Sequence, residues 1–271
     1  MPVINTNVNS LIAQQALSTN NRSLSKAMEQ LSTGKRINGA ADDAAGLAIS
    51  NKLTAQVRGL NQGVRNANDA ISMVQTAEGA TKTVTDMLQR MRELAIQAAN
   101  GTNSTADKSS LQKEFLQLQT EISRISTSTE WNGRKITGAS AGAVNFQVGA
   151  NSGQVITVTF KNLATISAVA SAVAGTTSAS LATVVSKLDS AIAAIDSFRS
   201  DMGAKINRLT YAADNLTNVS TNTAASRSRI LDADYAQATT ELARSQIIQQ
   251  AATAMLAQAN QAPQSVLSLL K

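Results

Sequence analysis

Apolar residues of the first segment fall at Ile4, Val8 and Leu11, then at Leu17, Leu24, Met28 and Leu31. Steps of three, four and seven within each group are read as one narrow stripe along a helix, with a step of six between the groups. The stretch 33–46 contains three glycines and the pair Asp42–Asp43, and it breaks the stripe. A long helix follows on the seam Leu53, Val57, Leu60, Val64, Ala67, Ile71 and Val74. After a phase adjustment near Gly79 the seam resumes at Val84, Leu88, Met91 and Ala95. Continuous over 47–99, that helix reaches about 80 Å at ~1.5 Å per residue.

Asn100–Gly101 is a stop signal, and Ser104 with Asp107 three residues on resembles a capping box. The next seam is Leu111, Phe115, Leu118, Ile122 and Ile125, and Asn132–Gly133 marks a turn after Trp131. Residues 136–180 lose the helical period. Val144, Phe146 and Val148 alternate with polar residues, Gly149–Gly153 is turn-rich, and Ile156, Val158 and Phe160 alternate again, which predicts a β-hairpin. Residues 164–180 are rich in Ala, Ser, Thr and Val and read as loop or weak structure.

A third long helix carries Leu181, Val185, Leu188, Ile192 and Ile195, then Met202, Ile206, Leu209, Ala213 and Leu216, with Arg199 interrupting. Beyond Ala224 the pattern loosens. The last helix carries Leu231, Tyr235, Ala238, Leu242, Ile248, Ala252, Met255 and Ala259. Pro263 is expected to end or kink it, leaving the apolar tail Val266, Leu267, Leu269 and Leu270. The pattern predicts a mainly α chain, an elongated antiparallel helical rod or coiled coil of N- and C-terminal segments. A small central insert holds the hairpin, with both termini at one end of the rod and 136–180 near the other.

Composition narrows the function. The 271 residues include neither cysteine nor histidine, which excludes disulfides, thiolate nucleophiles, zinc fingers and every imidazole-based triad. Alanine supplies 46 residues and aromatic side chains only seven, so close contacts pack small groups between long elements. The net charge of +6 is scattered, and between 136 and 186 Lys161 is the only charged residue. Without a basic stripe interleaved with aromatics, no nucleic-acid partner is expected. No apolar run approaches the roughly 18 residues of a membrane helix. The opening MPVINTNVNSLIAQQ lacks the basic start and apolar centre of a secretory signal, so export without a cleaved signal, or none, is expected.

Candidate chemistry is sparse. Asp42–Asp43 lacks the further ligands that a cation needs, and capping the helix that begins near Ala44 is the simpler role. Glu93 and Glu114 have arginines near them and read as surface ion pairs. Nothing assembles a nucleophile, a base and an oxyanion site, so neither enzyme activity nor a cofactor is expected.

Several long motifs, in order, resemble bacterial flagellin: INTNVNSLIAQQAL at the start, LSTGKRINGAADDAAGLAISNKL at 31–53, GLNQGVRNANDAISMVQTAEGA at 59–80, AASRSRILDADYAQATTEL at 224–242, and QIIQQAATAMLAQANQAPQSVLSLL at the end. The likeness covers nearly all of 1–135 and 181–271. Many flagellins carry a lysine before the Asp–Asp pair, where Ala41 stands here. The resemblance implies a secreted structural subunit that polymerises with copies of itself into the helical filament used for swimming.

It also implies a division of labour. Terminal helices 1–33 and 232–271 form the filament's inner core, 34–46 and 224–231 are linking spokes, 47–135 and 181–223 form a helical middle domain, and 136–180 is a short variable insert. Ile4, Val8, Leu11, Leu24, Leu31, Leu231, Leu242, Ile248 and Met255 are the expected inner-core seam. Further implied partners are an export chaperone, the filament cap and hook–filament junction proteins. Gln89, Arg90, Leu94 and Glu114 match the segment sensed by a Toll-like receptor, and the tail Val266, Leu267, Leu269 and Leu270 the part sensed by cytosolic flagellin receptors. Leu94 has packing between helices as its alternative role. For the whole chain, the alternative is a hook–filament junction protein with similar termini.

Overall fold

Asn7 opens helix α1 (Val8–Thr33): its side-chain oxygen accepts from the backbone N–H of Ser10, and Gly34 ends the helix at φ +68°, a left-handed conformation that costs glycine little. The computed structural model describes residues 7–164 and 178–268, with side chains over 7–164 and 182–261. The remaining elements are α2 (Ala44–Ala99), α3 (Thr105–Ser128), β1 (Glu130–Trp131), β2 (Arg134–Lys135), β3 (Ala143–Gln147), β4 (Val155–Thr159), α4 (Ser178–Leu231) and α5 (Tyr235–Ser268). Five helices and two small hairpins make the described residues mainly α. The chain divides into two units, 57–221 and the paired ends 1–56 with 222–271.

The unit 57–221 holds the main core. Leu88, Met91 and Leu94 from α2, Phe115 and Ile122 from α3, and Leu188, Ile195, Phe198 and Met202 from α4 are buried together with Val158 of β4 and Phe160 just after it. Phe198 occupies the turn where Arg199 interrupts the apolar spacing, so the seam continues through its neighbour. On α3, Phe115 and Ile122 face inward, while Leu111, Leu118 and Ile125 are half-buried along the edge. The capping box forms: Ser104 accepts from the N–H of Asp107 and the Asp107 carboxylate accepts from the N–H of Ser104.

Strands β3 and β4 pair antiparallel with Val144 opposite Val158 and Phe146 opposite Ile156, so the apolar members of each strand share one face. The hairpin lies on α2 where two side chains are missing. A Cβ on Gly59 would sit 2.9 Å from the Cβ of Ala150, and one on Gly63 would sit 3.2 Å from the carbonyl of Val148. Asn66 donates to the Gln147 carbonyl beside them at 2.9 Å. Asn132 (φ 48°) and Gly133 (φ 76°) form the two-residue turn joining β1 to β2, a twist-matched hairpin connection.

Three boundaries differ from the sequence pattern. Helix α4 begins at Ser178 inside the stretch expected to be weak, while residues 165–177 lie outside the described residues. It also runs through Ala224 to Leu231, so Leu231, expected on the last helix, ends α4 instead; the Ala, Ser and Arg residues there weaken the apolar period without breaking a helix. Pro263 does not end α5, which continues to Ser268. Proline removes the donor for the carbonyl four residues back, and the side-chain Nδ2 of Asn7 donates to that carbonyl, Ala259, at 2.7 Å.

Candidate assembly interface

In the unit made from the chain's ends, α1 and α5 run antiparallel: Asn7 meets Ala259, Asn20 meets Ser245, and Gly34 meets Ala233. The connecting segments are laced together. Arg36 N–H donates to the Leu231 carbonyl at 2.7 Å, Ala233 N–H donates to the Gly34 carbonyl at 3.0 Å, and a single bridge joins Lys35 to Asp232. Ile37 is buried beneath them.

The acidic pair splits its work. Asp43 precedes α2 and accepts from the N–H of Gly46 at 2.8 Å, which caps the helix as expected. Asp42 instead closes the loop before it, accepting from the N–H groups of Asn38 and Gly39 and pairing with Lys26 of α1 at 2.8 Å. The Lys26 hydrogen bond above all, then the two backbone donors, lowers the Asp42 pKa to about 2. Among the described residues no group of three or more metal-ligating side chains stands together, and no helix is long and apolar enough to cross a membrane.

The faces that α1 and α5 turn toward each other are covered in strict alternation of three and four. On α1 they are Ser10, Ala13, Leu17, Asn20, Leu24, Ala27 and Leu31; on α5 they are Ala238, Leu242, Ser245, Gln249, Ala252, Leu256 and Ala259. This is coiled-coil spacing with small and polar residues in many seam positions. The apolar stripe read from the sequence is therefore divided. Leu24, Leu31, Leu231 and Leu242 are half-buried, whereas Val8, Leu11, Ile248 and Met255 are exposed. Leu11 keeps 57% of its surface and Met255 66%, and Ile12, Met28 and Ile247 are also exposed. The one-stripe expectation fails at six-residue steps, Leu11 to Leu17 on α1 and Leu242 to Ile248 on α5, each of which carries the apolar positions about 120° round the helix onto another face. Ile4 lies outside the described residues, as do Leu269 and Leu270; Val266 and Leu267 lie in α5 with side chains beyond those described.

Most of these exposed apolar residues gather in two grooves; Met28 and Ile247 lie outside them. Val8, Leu11, Ile12, Ala16 and Ile248 line one open groove of this unit, and Ile12, Ala16, Ile248 and Met255 line a second. A third hollow, lined by Gln14, Ser18, Asn21, Arg22, Glu29 and Asp42, is mostly polar. Thus the two grooves share Ile12, Ala16 and Ile248 as an exposed apolar strip, edged by polar Gln15, Thr19, Glu241 and Arg244, while the seam between the helices is small and partly polar.

On the unit 57–221, Arg90 donates to Glu114 at 2.9 Å and to Glu93 at 3.0 Å, and these carboxylates, Glu114 first, raise its pKa. Gln89, Arg90 and Glu114 are exposed together. Leu94 is not: it keeps 1% of its surface and packs in the core. Of the two roles open to Leu94, its place on the inward face of α2 favours packing between helices.

Comparison with known proteins accounts for this architecture. The family model described as the bacterial flagellin N-terminal helical region matches residues 4–141, and that of the C-terminal helical region matches 185–270. A flagellin from Halalkalibacterium halodurans is 45% identical over 99% of this chain and 100% of its own length. Flagellin A of Vibrio cholerae is 36% identical over 99% of each chain. A solved structure described as flagellar hook-associated, from Vibrio parahaemolyticus, covers 70% of this chain and all of its own at a TM-score of 0.60; with 13% identity it is similar in fold. The chain belongs to the bacterial flagellin family, structural proteins that form extracellular flagellar filaments.

Proposed function

We propose that this chain is itself a filament subunit for swimming, and that copies join through the apolar strip of the α1–α5 pair. One observation carries the proposal. Val8, Leu11, Ile12, Ile248 and Met255 face solvent in the single chain, while the seam is shared among half-buried leucines, alanines and the polar Asn20 and Ser245. Monomeric proteins rarely leave contiguous apolar strips uncovered, and burial stabilises by about 25 cal/mol per Å². Different patches of one subunit meeting those of the next give an open helical assembly. In this assignment 1–33 and 232–271 form the inner core, and the chaperone, cap and junction proteins of the family act on the same chain. Electron microscopy after salt-induced polymerisation tests it: the full chain should form long filaments, and deletion of 1–30 or 240–271 should leave soluble subunits. Filaments from the doubly truncated chain would sink the assignment. Copy number separates it from a hook–filament junction role, since a filament subunit dominates protein sheared from the cell surface.

A second proposal concerns host sensing. Exposed Gln89 and the exposed Arg90–Glu114 ion pair are assigned to a Toll-like receptor, and the tail to cytosolic receptors. Arginine is enriched among interface residues whose truncation costs about 2 kcal/mol or more. The soluble subunit should activate the receptor in a reporter assay, and Arg90→Ala should weaken that response at least tenfold, about 1.4 kcal/mol. Equal responses would remove Arg90 from the contact.

A further inference from the structure

The seam between α1 and α5 contains the same unusual contact twice. Asn20, with 8% of its surface exposed, donates its Nδ2 to the backbone carbonyl of Ser245 at 2.7 Å, and Ser245 keeps 1%. Asn7 donates its Nδ2 to the carbonyl of Ala259, also at 2.7 Å. In both cases a side-chain amide on α1 reaches main chain on α5, where a small residue leaves it room.

The two acceptors differ in an informative way. Ser245 lies inside the helix, so Asn20 uses a second lone pair of its carbonyl. Ala259 is four residues before Pro263, which has no N–H to offer it, so Asn7 supplies the donor that the helix lacks. The other end of the Asn7 side chain caps α1 through Ser10. One residue therefore ties the first turn of α1 to the proline position of α5.

The backbone pairing of 34–36 with 231–233 anchors the register at one end, but along the helices the apolar part of the seam cannot hold it alone. Alanines and leucines recur every three or four residues on both helices, so sliding one helix by a turn brings similar groups together. A slide does, however, strip the buried Asn20 amide of its acceptor, which costs more than the bond contributes when made. A buried asparagine in a coiled-coil seam fixes register in this way, at some expense in stability.

We propose that Asn7 and Asn20 are positioning residues that fix the register of α1 against α5, and so decide which side chains stand together on the apolar strip. The second half rests on the self-assembly proposed above.

The test uses the full-length chain. Asn21 and Gln249 touch across the seam, Nε2 to Oδ1 at 3.2 Å, and the chain has no cysteine of its own. Cysteines at 21 and 249 report the native register by disulfide formation; a second chain with cysteines at 21 and 252 reports a one-turn slide. With Asn20→Leu, the 21–249 product should fall roughly threefold to tenfold and the 21–252 product should rise, with helix content retained. Asn7→Ala should reduce the native product clearly, but much less in a Pro263→Ala chain, where residue 263 supplies its own N–H. That rescue is not expected of a residue that merely packs.

An unchanged 21–249 product in Asn20→Leu, or equal losses from Asn7→Ala with and without Pro263, would overturn register setting. Filament formation is read separately. Failure of the unsubstituted chain to polymerise overturns self-assembly and leaves register setting to be decided by the cross-linking yields alone. A slipped chain that builds filaments of unchanged helical parameters overturns the link between register and strip.

Discussion

At the residue scale, Asp42 shows how one exposed carboxylate can organise a junction. It joins α1, through Lys26, to the loop that introduces α2, and its pKa falls from 3.8 to about 2. A depressed carboxylate stabilises the fold at pH values above its unfolded value, and the contribution disappears as pH falls through the folded one. The paired ends should therefore lose an increment of stability between pH 3.8 and about 2, and Asp42→Asn should remove that increment. The measurement is the difference in acid titration of helix content between the two chains; parallel curves would show that Lys26 and the loop amides do not hold the carboxylate. The pair Asp42–Asp43 was visible in the sequence as a helix-start signal, and Asp43 fills that role. The role of Asp42 was hidden because its partner Lys26 lies on another helix.

At the element scale, spacing spoke clearly wherever apolar residues alone make the contact. The capping box at Ser104, the Asn132–Gly133 turn, the alternation of the β3–β4 hairpin and the buried positions of α2 follow from residues near in sequence. It spoke poorly for the α1–α5 seam. Asn20, Ser245 and Gln249 hold regular seam positions, but a search for apolar residues passes over them and takes Val8 and Met255 from the next face. On α3 the error was smaller, because all five seam residues touch the core and burial ranks them. Phe115→Ala should cost about 3–5 kcal/mol, as for a fully buried aromatic. Leu118→Ala, at the edge, should cost about 1–1.5 kcal/mol. Equal losses in thermal or denaturant unfolding would place Leu118 as deep as Phe115.

At the scale of the whole molecule, the two units are built from different materials. The unit 57–221 fully buries many Phe, Leu, Ile and Met side chains. In the paired ends Ile37 is the one large apolar side chain buried among the described residues, the seam leucines are half-buried, and Val8, Leu11, Ile12, Met28, Ile247, Ile248 and Met255 are exposed. Helices without a buried apolar face gain little stability. Amides of 8–33 and 235–261 in the soluble chain should exchange with solvent much faster than those of α2 and α4 within 57–221, and should slow once the exposed strip is covered in an assembly. Uniform protection in a verified monomer would show that the ends are self-sufficient. The helical layout of both units was legible because long seams repeat; the unequal quality of their interiors became visible only with side chains in place. The seat formed by Gly59 and Gly63 bears on how such a chain can lengthen. With Val148 and Ala150 resting on bare helix backbone, the near side of the hairpin turn has no space for additional residues. The loop at Gly101 is open, with nothing within 4 Å of an added Cβ. A short peptide tag spliced in after Gly149 should lever the hairpin from α2 and lower the melting temperature, while the same tag after Gly101 should leave it unchanged. Tolerance for inserted sequence would then be set by two absent side chains on a helix far away in the sequence.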